Sequence, residues 1–291
     1  MVFTIENGTL TVSADELGAE LTSIRPCGGG EYLWQGAPEI WKRRAPNLFP
    51  FIGRLYNGEY AYGGKTYKMP IHGFAPASLF TCDEHKADAM RFTLRDSDAS
   101  REIYPFEFAY SIEYALRGNR LNITHRVANH SPEALAFAIG AHPGFNIPLE
   151  EGSAFEDYYL EFNEPCDPEQ VLLSENLLPD DRYGPYPIED NRRIRLNHAM
   201  FNNDAIVLKN VSKAITLKSS KGDRGVCVRY PDMPYLGLWQ KPFVNAPYIC
   251  IEPWSALPGR DGITEDLARF PNFTHLQAGQ VYETSVSYEI F

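Results

Sequence analysis

The sequence contains few of the features that announce a function directly. No apolar run approaches 18 residues, so no membrane-spanning helix is expected. The first residues carry no basic segment followed by an apolar stretch, which predicts no secretory leader. Cysteine is scarce: the five residues Cys27, Cys82, Cys166, Cys227 and Cys250 are odd in number and form no C-x-x-C pair. That pattern argues for reduced thiols in a cytoplasmic protein, and against a disulfide framework or a zinc site. Basic residues are outnumbered 27 to 38, giving a formal charge of −11. Nucleic acid and anionic membrane surfaces are therefore not expected partners, because both require concentrated Lys and Arg. Walker A, G-x-G-x-x-G, G-x-S-x-G and H-E-x-x-H motifs are all absent. Nucleotide chemistry is unsupported, and the residues imply neither metal nor other cofactor.

Helical signals are also few. Residues 13–16, Ser-Ala-Asp-Glu, read as a capping box that opens a short helix over 14–21, although alternation across 9–24 fits a strand as well. Residues 264–270 read as one helical turn. What the chain does have is aromatic residues, 13% of the total, with 22 Gly and 22 Pro as punctuation. This composition favours strands and turns. Gly63-Gly64 joins strand patterns at 58–62 and 66–69, and Gly118-Asn119 joins 106–116 to 121–127, both as tight hairpins. Further short strands are read at 80–84, 90–94, 134–139, 158–162, 205–208, 214–219, 225–229, 236–240, 248–252 and 282–291. The polar, Pro-rich stretch 170–193 reads as a surface loop. No repeat or linker is visible. The expectation is an all-β chain, a large antiparallel β-sandwich, in a single domain over residues 1–291.

Chemistry is sought where polar residues interrupt apolar runs. His142 ends the apolar run from Phe137 and precedes Pro143-Gly144, a position suited to a general acid or base. Glu252 closes Tyr248-Ile-Cys-Ile and is followed by Pro253-Trp254; burial beside an indole raises a carboxyl pKa. Arg54 follows Phe49-Pro-Phe-Ile-Gly53, and His72 stands before Gly73 in a turn. Asp204 opens an apolar strand after Asn202-Asn203. Each also has a structural reading: a paired Arg, a turn His bonded to backbone, a turn Asp. Asp232, within Tyr230-Pro-Asp-Met-Pro234, is read as a turn residue. No activated Ser or Cys nucleophile stands out. Spacing alone does not show that these groups converge.

The same segments resemble the aldose 1-epimerase (galactose mutarotase) family, in particular its LacX-like branch. The segments run in order through Gly18-Ala-Glu-Leu21, Tyr32-Leu-Trp34, Ala45-Pro-Asn-Leu-Phe-Pro50, Gly53-Arg54 and Ile71-His-Gly-Phe-Ala75. They continue through Gly140-Ala-His-Pro-Gly-Phe145, Asn203-Asp204, Tyr235-Leu-Gly-Leu-Trp239 and Cys250-Ile-Glu-Pro-Trp254. The resemblance implies a large β-sandwich whose concave sheet binds a sugar. It implies Glu252 as general base on the anomeric hydroxyl and His142 as general acid on the ring oxygen, the two on opposite sides of the hemiacetal. It implies Arg54, His72 and Asp204 as sugar ligands, an aldohexose as the partner, and no metal or cofactor. Monomer or weak dimer is the expected state. Trp34, Trp41, Trp239 and Trp254 are candidate stacking faces for a pyranose, with core packing expected for most of them. The family often follows H-G-F-A with Arg, where this chain has Pro76; a second cation beside the pocket is therefore expected to be missing, which weakens a hexose 6-phosphate assignment. Two other readings stay open: a sugar-binding protein without turnover, and a glycoside hydrolase pairing Glu252 with Asp204 or Asp232.

Overall fold

The structure, a computed structural model, describes residues 1–291. Two large sheets dominate it. The first has nine strands in the order Arg193–Arg195, Tyr158–Phe162, Ala214–Ser219, Gly225–Arg229, Val281–Ile290, Arg120–Asn129, Phe108–Arg117, Ala89–Arg95 and Thr81–His85, every neighbour antiparallel. Alternation dictates its two faces. Tyr110, Ile112, Tyr114 and Leu116 point inward from one strand, and Leu121, Ile123, His125 and Val127 from the next, while the residues between them are wetter. The Gly118-Asn119 hairpin joins these two strands, with Gly118 at φ 58°. At Gly63-Gly64 both residues have positive φ, 56° and 77°, as a type I′ turn demands.

The second sheet has eight strands and is built differently. Its order is Pro179–Pro185, Glu169–Leu173, Ile206–Lys209, Tyr235–Trp239, Tyr248–Trp254, Gly140–Ala141 and Asn47–Leu48, with Gly144–Asn146 also pairing along Tyr248–Trp254. That central strand is buried along its whole length. Ile249 and Ile251 face the main core, while Tyr248 and Cys250 join Trp34 and Ala246 in a second apolar cluster, flanked by Trp41 and Trp239. Both faces of this strand are therefore covered, which explains why it reads as unbroken apolar sequence rather than alternation. The main apolar core runs from Ile5 to Ile290. No helix is long and apolar enough to cross a membrane.

Three expectations are corrected. Residues 14–21 form no helix: Leu10–Asp15 and Leu21–Pro26 are strands, with Leu10, Val12 and Ala14 buried at period two. The Asp15 carboxylate accepts the Leu17 N–H within a turn, and Ala19 at φ 47° is incompatible with a helix. Alternation outweighed a local capping pattern. The stretch 170–193 is no plain loop, since Glu169–Leu173 and Pro179–Pro185 pair as a hairpin at the sheet edge. Proline is tolerated at an edge because its missing N–H faces no neighbour. The one α-helix, Asp98–Ile103, went unread; Ser97 and Ser100 cap it reciprocally. Residues 264–270 do hold a 3₁₀ turn, Leu267–Arg269.

Candidate active site

The register of the second sheet places the candidate residues. Gly140 pairs with Trp254 and Gly144 with Cys250, so His142, in the gap between the two short strands, stands opposite Glu252. Pro143 lacks an N–H, and the ladder is interrupted where the imidazole emerges. His142 Nε2 lies 3.3 Å from Glu252 Oε2, with side-chain exposures of 8% and 2%. On the other side of Glu252 the paired residue is Gly237, over which the Trp254 indole packs; a Cβ there would lie 2.7 Å from the ring. Trp41 stacks on the His142 ring at 5.1 Å, and Trp239 meets it edge-on at 5.7 Å.

Arg54 and His72 come from irregular chain that folds against this strand. His72 and Gly53 exchange two hydrogen bonds: the His72 N–H donates to the Gly53 carbonyl at 2.8 Å, and the Gly53 N–H donates to His72 Nδ1 at 3.1 Å. Because Nδ1 accepts, the neutral ring carries its proton on Nε2. His72 has φ 67° and Gly73 φ 77°. Glycine is required at position 73, where a Cβ would fall 2.1 Å from the Phe49 carbonyl oxygen. The His72 and His142 rings meet edge to face at 5.3 Å. Asp204, at φ 70°, accepts the Ala205 N–H through Oδ1 at 2.8 Å and turns Oδ2 toward Arg54 Nη1 at 3.6 Å. The turn reading of Asp204 and the paired reading of Arg54 therefore both hold, yet both residues also line the cavity.

All five sequence-predicted residues, Arg54, His72, His142, Asp204 and Glu252, meet in one cavity of about 280 Å³. This is the small end of ligand pockets. Asp232 is exposed and does not line it. Glu252 is faced by His142 rather than by a second carboxylate, which counts against the glycosidase reading. The acid and the imidazole sit side by side, whereas the sequence reading had them on opposite sides of a hemiacetal.

The tryptophans do both things expected of them: Trp254 belongs to the main core and Trp34 to the second cluster, with Trp41 and Trp239 packed against it, while Trp41, Trp239 and Trp254 also border the cavity and Trp34 stays out, stacked on Tyr248 at 4.9 Å. Lys241 also lines it, two residues past Trp239, and corrects the expectation of a missing second cation. Pro76 is buried instead, its carbonyl accepting from Arg43 at 2.8 Å. The only sequence signal for Lys241 was its place after an apolar strand, in Trp239-Gln-Lys-Pro242.

Burial governs the electrostatics. It pushes the Glu252 carboxyl well above its ordinary range, with the Asp204 charge adding in the same direction. It pushes His142 well below the ordinary imidazole value, with His72 adding to the effect. His72 is lowered to about 4 by burial and then by Arg54. Charge is thus disfavoured on both members of the contacting pair.

The β-sandwich holds a contacting carboxyl–imidazole pair in a tryptophan-walled cavity, and a sequence match over nearly the whole chain makes it an isomerase of the epimerase class. The chain belongs to the aldose 1-epimerase family, whose sequence pattern matches residues 1–289. It is 35% identical over 266 residues to Protein LacX of Lactococcus lactis subsp. lactis, in both plasmid and chromosomal forms, covering 88% of each chain. Among solved structures it resembles a galactose mutarotase related enzyme of Lactobacillus acidophilus, at 33% identity and TM-score 0.95, over 100% of this chain and 97% of that one. A galactose mutarotase-like protein of Lactobacillus casei matches over 100% of both chains, at 30% identity and TM-score 0.93.

Proposed function

We propose that the chain is a cofactor-free mutarotase, interconverting the α and β anomers of an aldohexose, with Glu252 as base and His142 as acid. The observation that carries this reading is the 3.3 Å contact between His142 Nε2 and Glu252 Oε2 inside a cavity of monosaccharide scale. Ionised Glu252 takes the O1 proton, the C1–O5 bond breaks as C1=O1 forms, and protonated His142 gives its proton to O5. Rotation about C1–C2 presents the other face of the aldehyde. The steps then reverse, O5 returning its proton to His142 and O1 recovering one from Glu252.

The pair needs one proton between its two members throughout, and its titration belongs to the pair. Burial makes the charged arrangement, carboxylate beside imidazolium, the less favourable one. Ring opening discharges both groups, so the dry setting drives the step forward. A raised carboxyl is a stronger base and a lowered imidazolium a stronger acid, and positioned proton transfer of this kind contributes about 10²–10⁴-fold. In this reading Arg54, His72 and Asp204 hold sugar oxygens, and Trp41 and Trp239 offer apolar faces to the pyranose. The chain acts as one domain in the cytoplasm, as a monomer or weak dimer, with no metal and no nucleic-acid or membrane partner.

One observation favours a second reading, hexose 6-phosphate as substrate: Lys241 and Arg54 both line the cavity. Polarimetry on α-D-galactose, α-D-glucose and α-D-glucose 6-phosphate separates these readings. Faster rotation change with a free sugar supports the first, and faster change with the phosphate alone supports the second. Calorimetric binding without any acceleration would leave a sugar-binding protein without turnover.

A further inference from the structure

The strand that carries Glu252 carries a third group of the same neighbourhood, which the sugar chemistry leaves unused. Cys250 precedes Glu252 by two residues, so the period of a strand turns both side chains to one face. His142 stands across the ladder from that face, and a donor atom from each of His142, Cys250 and Glu252 lies within 4.8 Å of the other two. All three residues are buried, and the Cys250 thiol is free. Two further atoms in the cluster, Glu252 Oε1 and His142 Nδ1, are buried without a hydrogen-bond partner in the protein. Buried polar atoms without partners are costly, so each of these residues has binding capacity that the protein itself leaves unused.

We propose that His142, Cys250 and Glu252 form a capture site for a thiophilic divalent cation such as Zn²⁺, and that its occupancy excludes the sugar. One nitrogen, one sulfur and one carboxylate oxygen match zinc-like ions, whereas Ca²⁺ and Mg²⁺ select oxygen-rich shells. Metal–ligand bonds of about 2.0–2.3 Å in a tetrahedron separate donor atoms by roughly 3.3–3.7 Å. The His142–Glu252 pair already has that spacing at 3.3 Å. Only the thiol has to close in, by about 1 Å. On binding, Cys250 loses its S–H proton and the Glu252–His142 pair gives up the one proton it holds, both to solvent, so that Glu252 binds as carboxylate and His142 as neutral imidazole. Two negative ligands then balance the dication, and the buried site carries no net charge. Three protein ligands leave a fourth position, and the sugar cavity that His142 and Glu252 line is the route by which the ion enters. The cation would hold both groups that the proposed reaction uses, so it acts as an inhibitor and not as a cofactor.

Cobalt(II) is the probe. Titration of the intact protein with Co²⁺ should produce a thiolate-to-cobalt charge-transfer band, which a mutarotase assay does not influence. The band should vanish in Cys250→Ala, weaken in Glu252→Gln, and be suppressed by excess Zn²⁺. Zn²⁺ should also stop anomerisation reversibly, with EDTA restoring it. Cys250→Ala should keep the metal-free rate while needing at least the roughly 10–100-fold higher Zn²⁺ that loss of a supporting partner typically costs. If Cys250→Ala does not fold, Cys250→Ser and the Glu252→Gln titration carry the test. No charge-transfer band, a band unchanged in the Cys250 and Glu252 variants, or Zn²⁺ inhibition unchanged in the Cys250 variants, would overturn the proposal. Because the band is read without substrate, its outcome is independent of whether the protein proves to be a mutarotase.

Discussion

The two sheets each bury a histidine, and the contrast between His125 and His142 separates a packed imidazole from the one proposed to carry a proton. His125 lies in the nine-stranded sheet with no exposure, bonded through Nδ1 to the Tyr110 hydroxyl at 2.9 Å. Burial alone lowers it to about 4, and no charged group shares in the effect. His142 lies at a break in the eight-stranded sheet, touching a buried carboxyl and bordering a cavity. Desolvation disfavours the charged form of both rings. What differs is the neighbour: a phenol fixes one ring in place, whereas a carboxyl gives the other a proton to exchange. Burial and a depressed pKa do not by themselves mark a catalytic histidine; the partner does.

The sharpest way to break this contrast is to remove the partner. Glu252→Gln should lower the anomerisation rate by about 10²–10⁴-fold with the circular-dichroism spectrum intact, and His142→Asn should do the same. Because the two act as a unit, the double variant should be little worse than either single one. A next test moves to the other histidine. His125→Phe should leave the rate unchanged while costing about 1–3 kcal/mol in denaturant unfolding, since the Tyr110 hydroxyl loses its partner. That variant also carries a pH signature. Above pH 6.5 neither folded nor unfolded chain protonates His125. Below it the unfolded chain takes a proton that the folded chain refuses until about pH 4, so stability falls across that window by roughly 3 kcal/mol. In His125→Phe the decline between pH 6.5 and 4 should be shallower by that amount.

Smaller effects sharpen the picture of the site. Asp204→Asn removes a negative charge that raises Glu252, so the pH–rate profile should move to lower pH as a whole. The Michaelis constant for a free hexose should rise roughly tenfold or more, as a charged hydrogen bond is lost. Lys241→Ala should change little for a free hexose, because the side chain is exposed and water screens it. A larger, salt-dependent loss confined to hexose 6-phosphate would instead assign the phosphorylated substrate.

The same contrast governs what the sequence revealed. The nine-stranded sheet was largely readable, because Tyr110-Ser-Ile-Glu-Tyr114 alternates at the period of a half-wet strand and Gly118 marks its turn. The site residues were visible as polar breaks in apolar runs: His142 before Pro143, Glu252 before Pro253. Their convergence was not visible, because it depends on the pairing that sets residue 142 against 252, and pairing is long-range. Position 14–21 failed because a four-residue capping pattern carries less weight than burial at Leu10, Val12 and Ala14. Lys241 was missed because nothing local distinguishes it from any other lysine after a strand, and the tryptophans were named without being sorted because nothing local distinguishes a cavity wall from a core.

The central proposition is that a single hemiacetal contacts Glu252 and His142 at once. A crystal of Glu252→Gln soaked with galactose tests it most directly, since the slowed variant traps the ring. The account predicts O1 within hydrogen-bond reach of the residue-252 side chain and O5 within reach of His142 Nε2, in the same sugar. A pyranose bound in the cavity with C1 turned away from both side chains would contradict it.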